Sequence, residues 1–408
     1  MPKTNKHNTI LLFSLFATML FIGIIDNIRG PALPRIQMDF DVSAFQLGLV
    51  PAFSAVGYLA ASAFTAALGR KIGMKSCLML AFALVLLTGV FMAFTPGFTP
   101  MLIGFVTLNI GAGMLDVSVN IIAGSTFTEN VGSKMNKIHL FYGLGGIFAP
   151  IISTSIMMAR FGESLSGWRL MYLVVLSWAI VPAALAVFSK IKKLTITKKP
   201  DSYAKLLKMP KLRLLVATLT IGLIVESGVA VWLVIYLERA LDFAPDRAAL
   251  FLTLYFICFT ASRLLMGPLI DKIGIVNSLV ILMTFGGVLI VSGVLLGAPG
   301  APLIVASGIG IAPLFPTVMA AISKLFYEEV DRAMTAVITS MGVLMIPANL
   351  LVGAIIQSSR HFLDPIFGQE AMRLAYSTGF MFVGVASFLA AATAFVLRRI
   401  LKSEGRLC

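Results

Sequence analysis

The chain has 408 residues, of which 59% are apolar and 12% are charged, and its formal net charge is +14. Soluble domains carry about 25% charged residues. The composition therefore excludes an ordinary water-soluble protein and predicts one that is embedded in a membrane.

Twelve apolar blocks are each long enough to cross a hydrocarbon core of about 30 Å, which requires about 20 helical residues. They should all be helices, because a membrane span must satisfy its backbone polar groups internally. We therefore predict an all-α membrane protein with twelve transmembrane helices. The blocks cover residues 9–33, 46–69, 76–95, 100–127, 138–160, 168–189, 213–237, 247–270, 276–297, 301–325, 333–357 and 373–397.

The basic residues determine the predicted orientation. With both termini inside, the 32 Lys and Arg residues divide into 23 inside, 7 outside and 2 within helices, namely Arg29 and Arg263. This positive-inside bias explains the net charge better than nucleic-acid binding does. The largest basic cluster lies between blocks six and seven and is expected to contact anionic lipid headgroups.

Weak internal symmetry predicts two halves. A shift of about 200 residues brings Asp26 within one residue of Glu226. We predict an N-terminal six-helix bundle (1–189), a basic cytoplasmic linker (190–212) and a C-terminal six-helix bundle (213–408), as in transporters built from parallel repeats.

Three acids, Asp26, Asp116 and Glu226, lie inside apolar blocks. A charge at bilayer depth costs between about 3 and 10 kcal/mol, so such acids are paired, line an aqueous cavity or carry protons. One alternative is an ion pair, in which Arg29 serves Asp26 and Arg263 serves Glu226 or Asp116. The other is proton coupling by the three acids, with the two arginines as charge partners.

Helix four carries Asn109, Gly113, Asp116 and Asn120 at spacings of four, three and four, which places them on one helix face. Such a polar stripe should face a cavity or a close neighbour. An acid there is poorly solvated when the cavity closes, and it would load a proton on one side and release it on the other.

Enzymatic chemistry has no support in the sequence. The three histidines, His7, His139 and His361, are far apart, and no metal-ligand spacing or nucleophile motif occurs. We predict neither a metal nor another cofactor.

The segment Gly267 to Gly274 has Gly, Asp271, a basic residue and Gly at the spacing of a loop signature, and it resembles that of the major facilitator superfamily. In that family the acid helps to latch the two halves on the cytoplasmic side. The N-terminal copy departs from the pattern, because Arg70 replaces the latch acid.

Within this superfamily, the segment from Gly111 to Asn120 resembles helix four of the fucose, galactose and glucose proton symporters. The segment from Lys134 to Gly145 resembles their helix five, and Glu226 with Trp232 resembles their helix seven. The resemblance implies two bundles with a central cavity that opens alternately to each side.

The candidate site residues follow from both arguments. Amides and aromatic rings suit a hydroxyl-rich solute, which gives the candidate binding set Asn27, Asn120, Tyr142, Trp232 and Asn349. Any of these can instead be a packing residue. The candidate gating residues are Asp271, Arg70 and His139.

We therefore expect a secondary transporter, with proton symport of a sugar or a similar small polar solute as the first hypothesis. The alternatives are a proton antiporter that exports amphipathic or lipid-like compounds and a membrane sensor without transport. The expected partners are the solute, protons and the lipid bilayer, for a monomer in a bacterial inner membrane with both termini cytoplasmic. No nucleic-acid partner is expected.

Overall fold

The described residues of this computed structural model are 6–126, 131–159, 167–189, 191, 206–326 and 330–404. Side chains are described for the same ranges except 6–8, 124–126, 131–137 and 330–332. Most of the predicted linker, residues 190–212, lies outside them. Within the described ranges, twelve helical segments are long and apolar enough to cross a bilayer. The predicted all-α fold with twelve transmembrane helices is confirmed.

Several spans are longer than their apolar blocks, and two of them continue well past the C-terminal end of the block. The first runs over Thr9–Phe40 and the eleventh over Ala333–Phe367, whereas the blocks end at 33 and 357. Hydropathy locates the part of a helix that suits hydrocarbon, but backbone hydrogen bonding continues through polar residues that suit the headgroup region. Gly368, with φ of 54°, ends the eleventh span.

The described chain divides into two compact units. Unit 1 contains Met1–Val42 and Phe53–Lys198, and unit 2 contains Ser43–Ala52 and Lys199–Cys408. In unit 1, α1 packs against α6 and α8, and α4 packs against α5 and α7. The helices up to residue 188 are α1 (Lys6–Asn27), α2 (Arg29–Phe40), α3 (Ala44–Ile72), α4 (Met74–Ala93), α5 (Phe98–Thr126), α6 (Val131–Met158), α7 (Gly167–Ser177) and α8 (Ile180–Phe188).

In unit 2, α17 packs against α9, α12 and α16. The tenth span is broken into short helices near Ser307 and Pro313, whereas α9 is continuous over 32 residues. The helices are α9 (Pro210–Leu241), α10 (Pro245–Leu265), α11 (Gly267–Ile273), α12 (Ile275–Leu296), α13 (Ala301–Ala306), α14 (Gly308–Ile311), α15 (Leu314–Leu325), α16 (Val330–Phe367) and α17 (Glu370–Ser403).

The two units repeat the same backbone caps. Asp41 after α2 and Asp242 after α9 both adopt the left-handed conformation, with φ of 49° and 56°. Asp tolerates this conformation better than most residues do. Gly73 and Gly274 also share a conformation, with φ of 89° and 96° and ψ of 144° in both. Both pairs are 201 positions apart in the numbering, so the internal repeat extends to individual backbone angles.

A helix contact repeats as well. Gly111 of α5 lies against α4, where an added Cβ would be 2.7 Å from Val85 Cγ2. Gly310 of α14 lies against α12, where an added Cβ would be 2.5 Å from the carbonyl oxygen of Leu282. These glycines are 199 positions apart, which gives the register of the repeat for the fourth and tenth spans.

An ion pair fixes the end of α2 to α7. Asp39 Oδ2 accepts hydrogen bonds from Arg169 Nη1 and, at 3.1 Å, from Trp168 Nε1. Arg169 also lies over the Trp168 ring, with its Cζ 4.5 Å from the ring centroid, and its Nη2 reaches the carbonyl of Thr95. The three helix ends of unit 1 that meet here are therefore tied together by one carboxylate and one guanidinium.

Candidate functional site

A glycine contact brings Tyr142 of α6 to Asp26 of α1. Gly23 lies so close to α6 that an added Cβ would overlap the carbonyl oxygen of Tyr142. Small residues allow membrane helices to approach in this way. Tyr142 Oη then donates a 3.2 Å hydrogen bond to Asp26 Oδ2. A predicted coupling acid and a predicted binding residue thus lie together.

A second close approach positions Asp116 of α5. Gly113 faces α3, where an added Cβ would be 2.8 Å from Ala61 Cβ and 3.2 Å from Tyr58 Cδ2. Tyr58 Oη donates a 2.6 Å hydrogen bond to Asp116 Oδ2. A short O–H···O contact of this kind is typical of a charged acceptor.

Asn120 supplies the other oxygen of Asp116 with a donor. Its Nδ2 donates to Asp116 Oδ1 at 3.0 Å and to the carbonyl of Asp116 at 2.9 Å. The amide oxygen then faces His139 of α6, whose Nε2 lies 3.2 Å away. Since an amide oxygen only accepts, this contact is a hydrogen bond in the imidazole tautomer that carries its proton on Nε2. The predicted gating residue His139 is therefore linked to Asp116 through one amide.

The two acids of unit 1 form one electrostatic cluster. The charges of Arg29 and of Asp116 both act on Asp26, and those of Asp116 and Asp26 both act on Tyr58. Among the described residues, Asp116 has a hydrogen-bond donor on each oxygen, whereas Asp26 accepts a single hydrogen bond, from Tyr142. This asymmetry distinguishes two carboxylates that share one environment.

The third predicted acid, Glu226 of α9, pairs with Arg263 of α10. Arg263 Nη2 lies 3.8 Å from Glu226 Oε1, which is within ion-pair range and too long for a hydrogen bond. Of the two partners considered from the sequence for Arg263, the structure places Glu226 beside it. Arg263 also lies over the Phe259 ring, with its Cζ 4.4 Å from the ring centroid.

Prolines explain why Arg263 is anchored where it is. In a helix, the carbonyl of residue i bonds the N–H of residue i+4, and proline has no N–H. Pro316 therefore leaves the carbonyl of Ala312 without its helical donor, and Arg263 Nε donates to that oxygen at 3.1 Å.

The neighbouring position follows the same rule. Pro313 leaves the carbonyl of Ile309 without its helical donor, and Ser262 Oγ donates to that oxygen at 2.7 Å. Two consecutive side chains of α10 thus satisfy the two carbonyls that two prolines of the tenth span set free. This pairing fixes the guanidinium beside Glu226.

The other predicted binding residues have no hydrogen bond to the three acids among the described residues. Trp232 is 2% exposed and packs within unit 2. Asn349 Nδ2 is 3.4 Å from the carbonyl of Pro51, both within unit 2. Asn27, next to Asp26, donates through Nδ2 to the carbonyl of Gly23 at 2.8 Å. Their predicted role in binding solute stays a prediction.

The two predicted latch residues are both at the surface of their units. Arg70 is exposed near the end of α3, and Asp271 is exposed in the short helix α11. Neither has a hydrogen bond or ion pair with another described residue. Their gating role stays a prediction.

The sequence analysis assigned no role to Tyr58 or Ser262. Tyr58 lies in an apolar helix, 58 residues from its acid, where an aromatic side chain usually signals packing. For Ser262 a signal was present, because two prolines three positions apart in a membrane helix must free two carbonyls. Which side chains would meet those carbonyls required the structure.

Comparison with known proteins agrees with this architecture. The model of the Major Facilitator Superfamily matches residues 15–306 and 215–406. The D-xylose-proton symporter-like 1 protein of Arabidopsis thaliana is 25% identical over 186 residues, which are 42% of this chain and 34% of that protein. The match therefore spans about a third of the length of this relative.

Three solved structures are similar along their whole length. A bacterial homolog of the human lysosomal transporter Spinster has a TM-score of 0.81 at 14% identity, with 100% of this chain and 99% of that chain covered. A D-xylose-proton symporter has 0.76 at 15% identity, with 95% and 97% covered. The E. coli fucose:proton symporter has 0.62 at 16% identity, with 95% and 98% covered. At these identities the likeness shows the fold.

Proposed function

The chain belongs to the Major Facilitator Superfamily and is a membrane transporter, and from this premise we propose that it carries a sugar or a similar small polar solute together with protons. The observation that carries the proposal is the cluster of unit 1. Two acids of predicted membrane spans, Asp26 and Asp116, act on each other there through their charges, and each accepts hydrogen bonds from neighbouring hydroxyl or amide groups.

The two acids have different parts in the proposed cycle. Asp116 accepts hydrogen bonds on both oxygens, from Tyr58 and Asn120, so its carboxylate is held in place and is the less accessible of the two to an incoming proton. Asp26 has the single 3.2 Å contact from Tyr142 and is the first acceptor of the proton. Once neutral, Asp26 no longer repels Asp116, and its own O–H can donate to a solute oxygen.

The solute class is supported by two kinds of argument. Hydroxyl and amide groups of Tyr142, Asn120 and Asn27 lie beside the acids and match the hydrogen bonding of a polyhydroxylated compound. Two similar structures are described as D-xylose and fucose proton symporters. A similar structure is also described as a nucleoside transporter, and nucleosides share the sugar hydroxyls.

The proton gradient drives the proposed transport by alternating access. The membrane potential contributes about 2.3 kcal/mol per proton per 100 mV, which permits accumulation of a neutral solute. We place the protein in a bacterial inner membrane as a monomer, with both termini cytoplasmic. The orientation follows from the 23 basic residues on the inner side against 7 on the outer side.

A second candidate is proton antiport of amphipathic compounds. The apolar character of the spans favours it. The similar structure with a TM-score of 0.81 is a homolog of the lysosomal transporter Spinster, whose description names no sugar. A sensor without transport is the third candidate. The direction of proton movement separates all three, since a symporter takes protons in with solute, an antiporter releases them and a sensor moves neither.

The experiment compares the native chain with Asp116→Asn and Asp246→Asn in proteoliposomes. The panel contains hexoses, deoxyhexoses and cationic dyes, with solute uptake and external pH both recorded. Asp246 is an exposed acid in the first turn of α10 and serves as the matched control.

We expect a hexose to enter with alkalinisation outside. Asp116→Asn should exchange the solute across the membrane without accumulating it, and Asp246→Asn should resemble the native chain. If only dyes move, and they move against the proton flux, then antiport replaces symport. If no compound moves protons in either direction, the transport proposal fails as a whole.

A further inference from the structure

Two buried polar atoms that share one region of unit 2 have no hydrogen-bond partner among the described residues. They are the hydroxyl oxygen of Tyr255 in α10 and Oε2 of Glu226 in α9. The Tyr255 side chain is 0% exposed. Buried polar groups are nearly always hydrogen-bonded, and leaving one without a partner is unfavourable. Two such atoms in one place call for a common partner.

The two groups belong to the same environment. The ring centroids of Tyr255 and Phe259 are 5.8 Å apart, and the Arg263 guanidinium that lies over Phe259 is the ion-pair partner of Glu226. α9 and α10 are in direct contact within unit 2. Tyr255 also packs edge-on against Phe256, with ring centroids 5.4 Å apart, so its ring has little freedom to turn its hydroxyl elsewhere.

Arg263 cannot satisfy Glu226 from where it is held. Its Nε is bonded to the carbonyl of Ala312 and its guanidinium lies over Phe259. Nη2 therefore stays 3.8 Å from Glu226 Oε1, and Oε2 receives no donor from the described residues. The proline that frees the Ala312 carbonyl thus keeps the acid only partly paired.

The chemistry of these atoms selects one kind of ligand group. Tyr255 offers an O–H donor and a carboxylate oxygen of Glu226 offers an acceptor. A cation cannot accept from tyrosine, and an anion without a proton cannot donate to the carboxylate oxygen of Glu226. A neutral hydroxyl group both accepts and donates, so it satisfies both atoms at once.

We propose that Tyr255 and Glu226, with Arg263 beside them, bind a hydroxyl group of the transported solute. This inference rests on the proposed function, because it requires a hydroxyl-bearing solute. It adds a subsite in unit 2 to the acid cluster of unit 1, and it assigns Tyr255 a role in specificity. A site with buried polar groups rejects an analogue that lacks the matching hydroxyl, because those groups then stay unpaired.

The experiment measures half-saturation concentrations in proteoliposomes for a transported hexose and its monodeoxy analogues. It uses the native chain, Tyr255→Phe and the control Tyr236→Phe, which removes the hydroxyl of another fully buried tyrosine of unit 2. Thermal unfolding of each purified variant in detergent confirms that it is folded before transport is measured.

We expect the native protein to bind one deoxy analogue at least about tenfold more weakly than the parent hexose. Tyr255→Phe should bind the parent about tenfold more weakly and the same analogue without further loss, so that their ratio falls to about one. Tyr236→Phe should keep the native ratio.

The failures are distinguishable. If the native protein transports hexoses and Tyr255→Phe keeps the full native discrimination, the subsite is wrong and the transport proposal stands; water alone would then occupy these groups. If the native protein transports no hexose, the proposed function fails and the subsite fails with it. If Tyr255→Phe does not fold, Glu226→Gln provides the same ratio test. The glutamine replaces one acceptor oxygen with an N–H donor, which cannot accept the proton of the solute hydroxyl.

Discussion

Tyr58 donates a 2.6 Å hydrogen bond to Asp116, although the two residues lie on different helices and 58 positions apart. The contact exists because Gly113 lets α3 and α5 approach closely. A hydrogen bond to a charged group contributes about 1.5–3 kcal/mol. The proposed coupling acid is thus controlled by a hydroxyl that carries no charge itself.

Removing that hydroxyl should impair coupling. We expect Tyr58→Phe to reduce proton-driven accumulation of solute by about tenfold or more, because Asp116 loses one of its two side-chain donors. Passive exchange of solute should fall much less. The matched control is Tyr172→Phe, which removes another tyrosine hydroxyl of unit 1 that has no partner among the described residues. Equal accumulation by native and Tyr58→Phe would contradict the role assigned to this bond.

The packing of α1 against α6 should not tolerate a side chain at Gly23. In Gly23→Ala the new Cβ would overlap the carbonyl oxygen of Tyr142, which is a backbone atom, so the helices must separate. Overpacking of this kind costs about 1–3 kcal/mol. We expect a lower midpoint of thermal unfolding in detergent and a weaker contact between Tyr142 and Asp26. Gly97→Ala is the control, because its nearest neighbour would be 4.0 Å away. Similar midpoints for both variants would refute the close approach.

A double substitution tests the carbonyls that the prolines set free. Ser262→Ala should destabilise the protein by about 1–3 kcal/mol, because the Ile309 carbonyl loses its donor. Pro313→Ala provides the missing backbone N–H for the same oxygen. The combination of the two should therefore recover much of the loss in free energy of unfolding. If the two effects simply add as independent losses, then Ser262 does not act by satisfying Ile309.

The ion pair at the end of α2 should matter for stability and not for solute choice. Asp39→Ala leaves the indole N–H of Trp168 without its acceptor and leaves the guanidinium of Arg169 with only the carbonyl of Thr95. Trp168 is 3% exposed, so its N–H has little access to water. We expect a loss of about 1–3 kcal/mol in the free energy of unfolding, with unchanged relative affinities among hexoses. A changed solute preference would show that this region does more than hold helix ends.

Much of the fold was predictable because membrane spans obey simple length and hydropathy rules. The shared face of Asp116 and Asn120 also followed from helical spacing, and the structure joins these two residues by a hydrogen bond. Contacts between helices were not predictable in this way. His139 meets Asn120 only because α5 and α6 pack side by side, and spacing along one helix does not reveal its neighbour.

The pairing of Arg263 shows the same limit. The sequence left open whether it serves Glu226 or Asp116, since both are acids at similar depth. The choice depends on the tenth span, where Pro316 supplies a free carbonyl that anchors the guanidinium. A local property of one helix therefore decides an ion pair between two others.

The internal repeat pairs each residue of one half with a counterpart in the other half. The second and eighth spans are related by an offset of 201 positions, so the counterpart of Tyr58 is Phe259. The fourth and tenth spans are related by an offset of 199 positions, so the counterpart of Asp116 is Phe315. The hydroxyl and the carboxylate of one half are both phenylalanine in the other. The two halves thus share backbone geometry, while the side chains at these two positions differ in their chemistry. Exchanging these side chains between the halves would therefore change the chemistry of both halves.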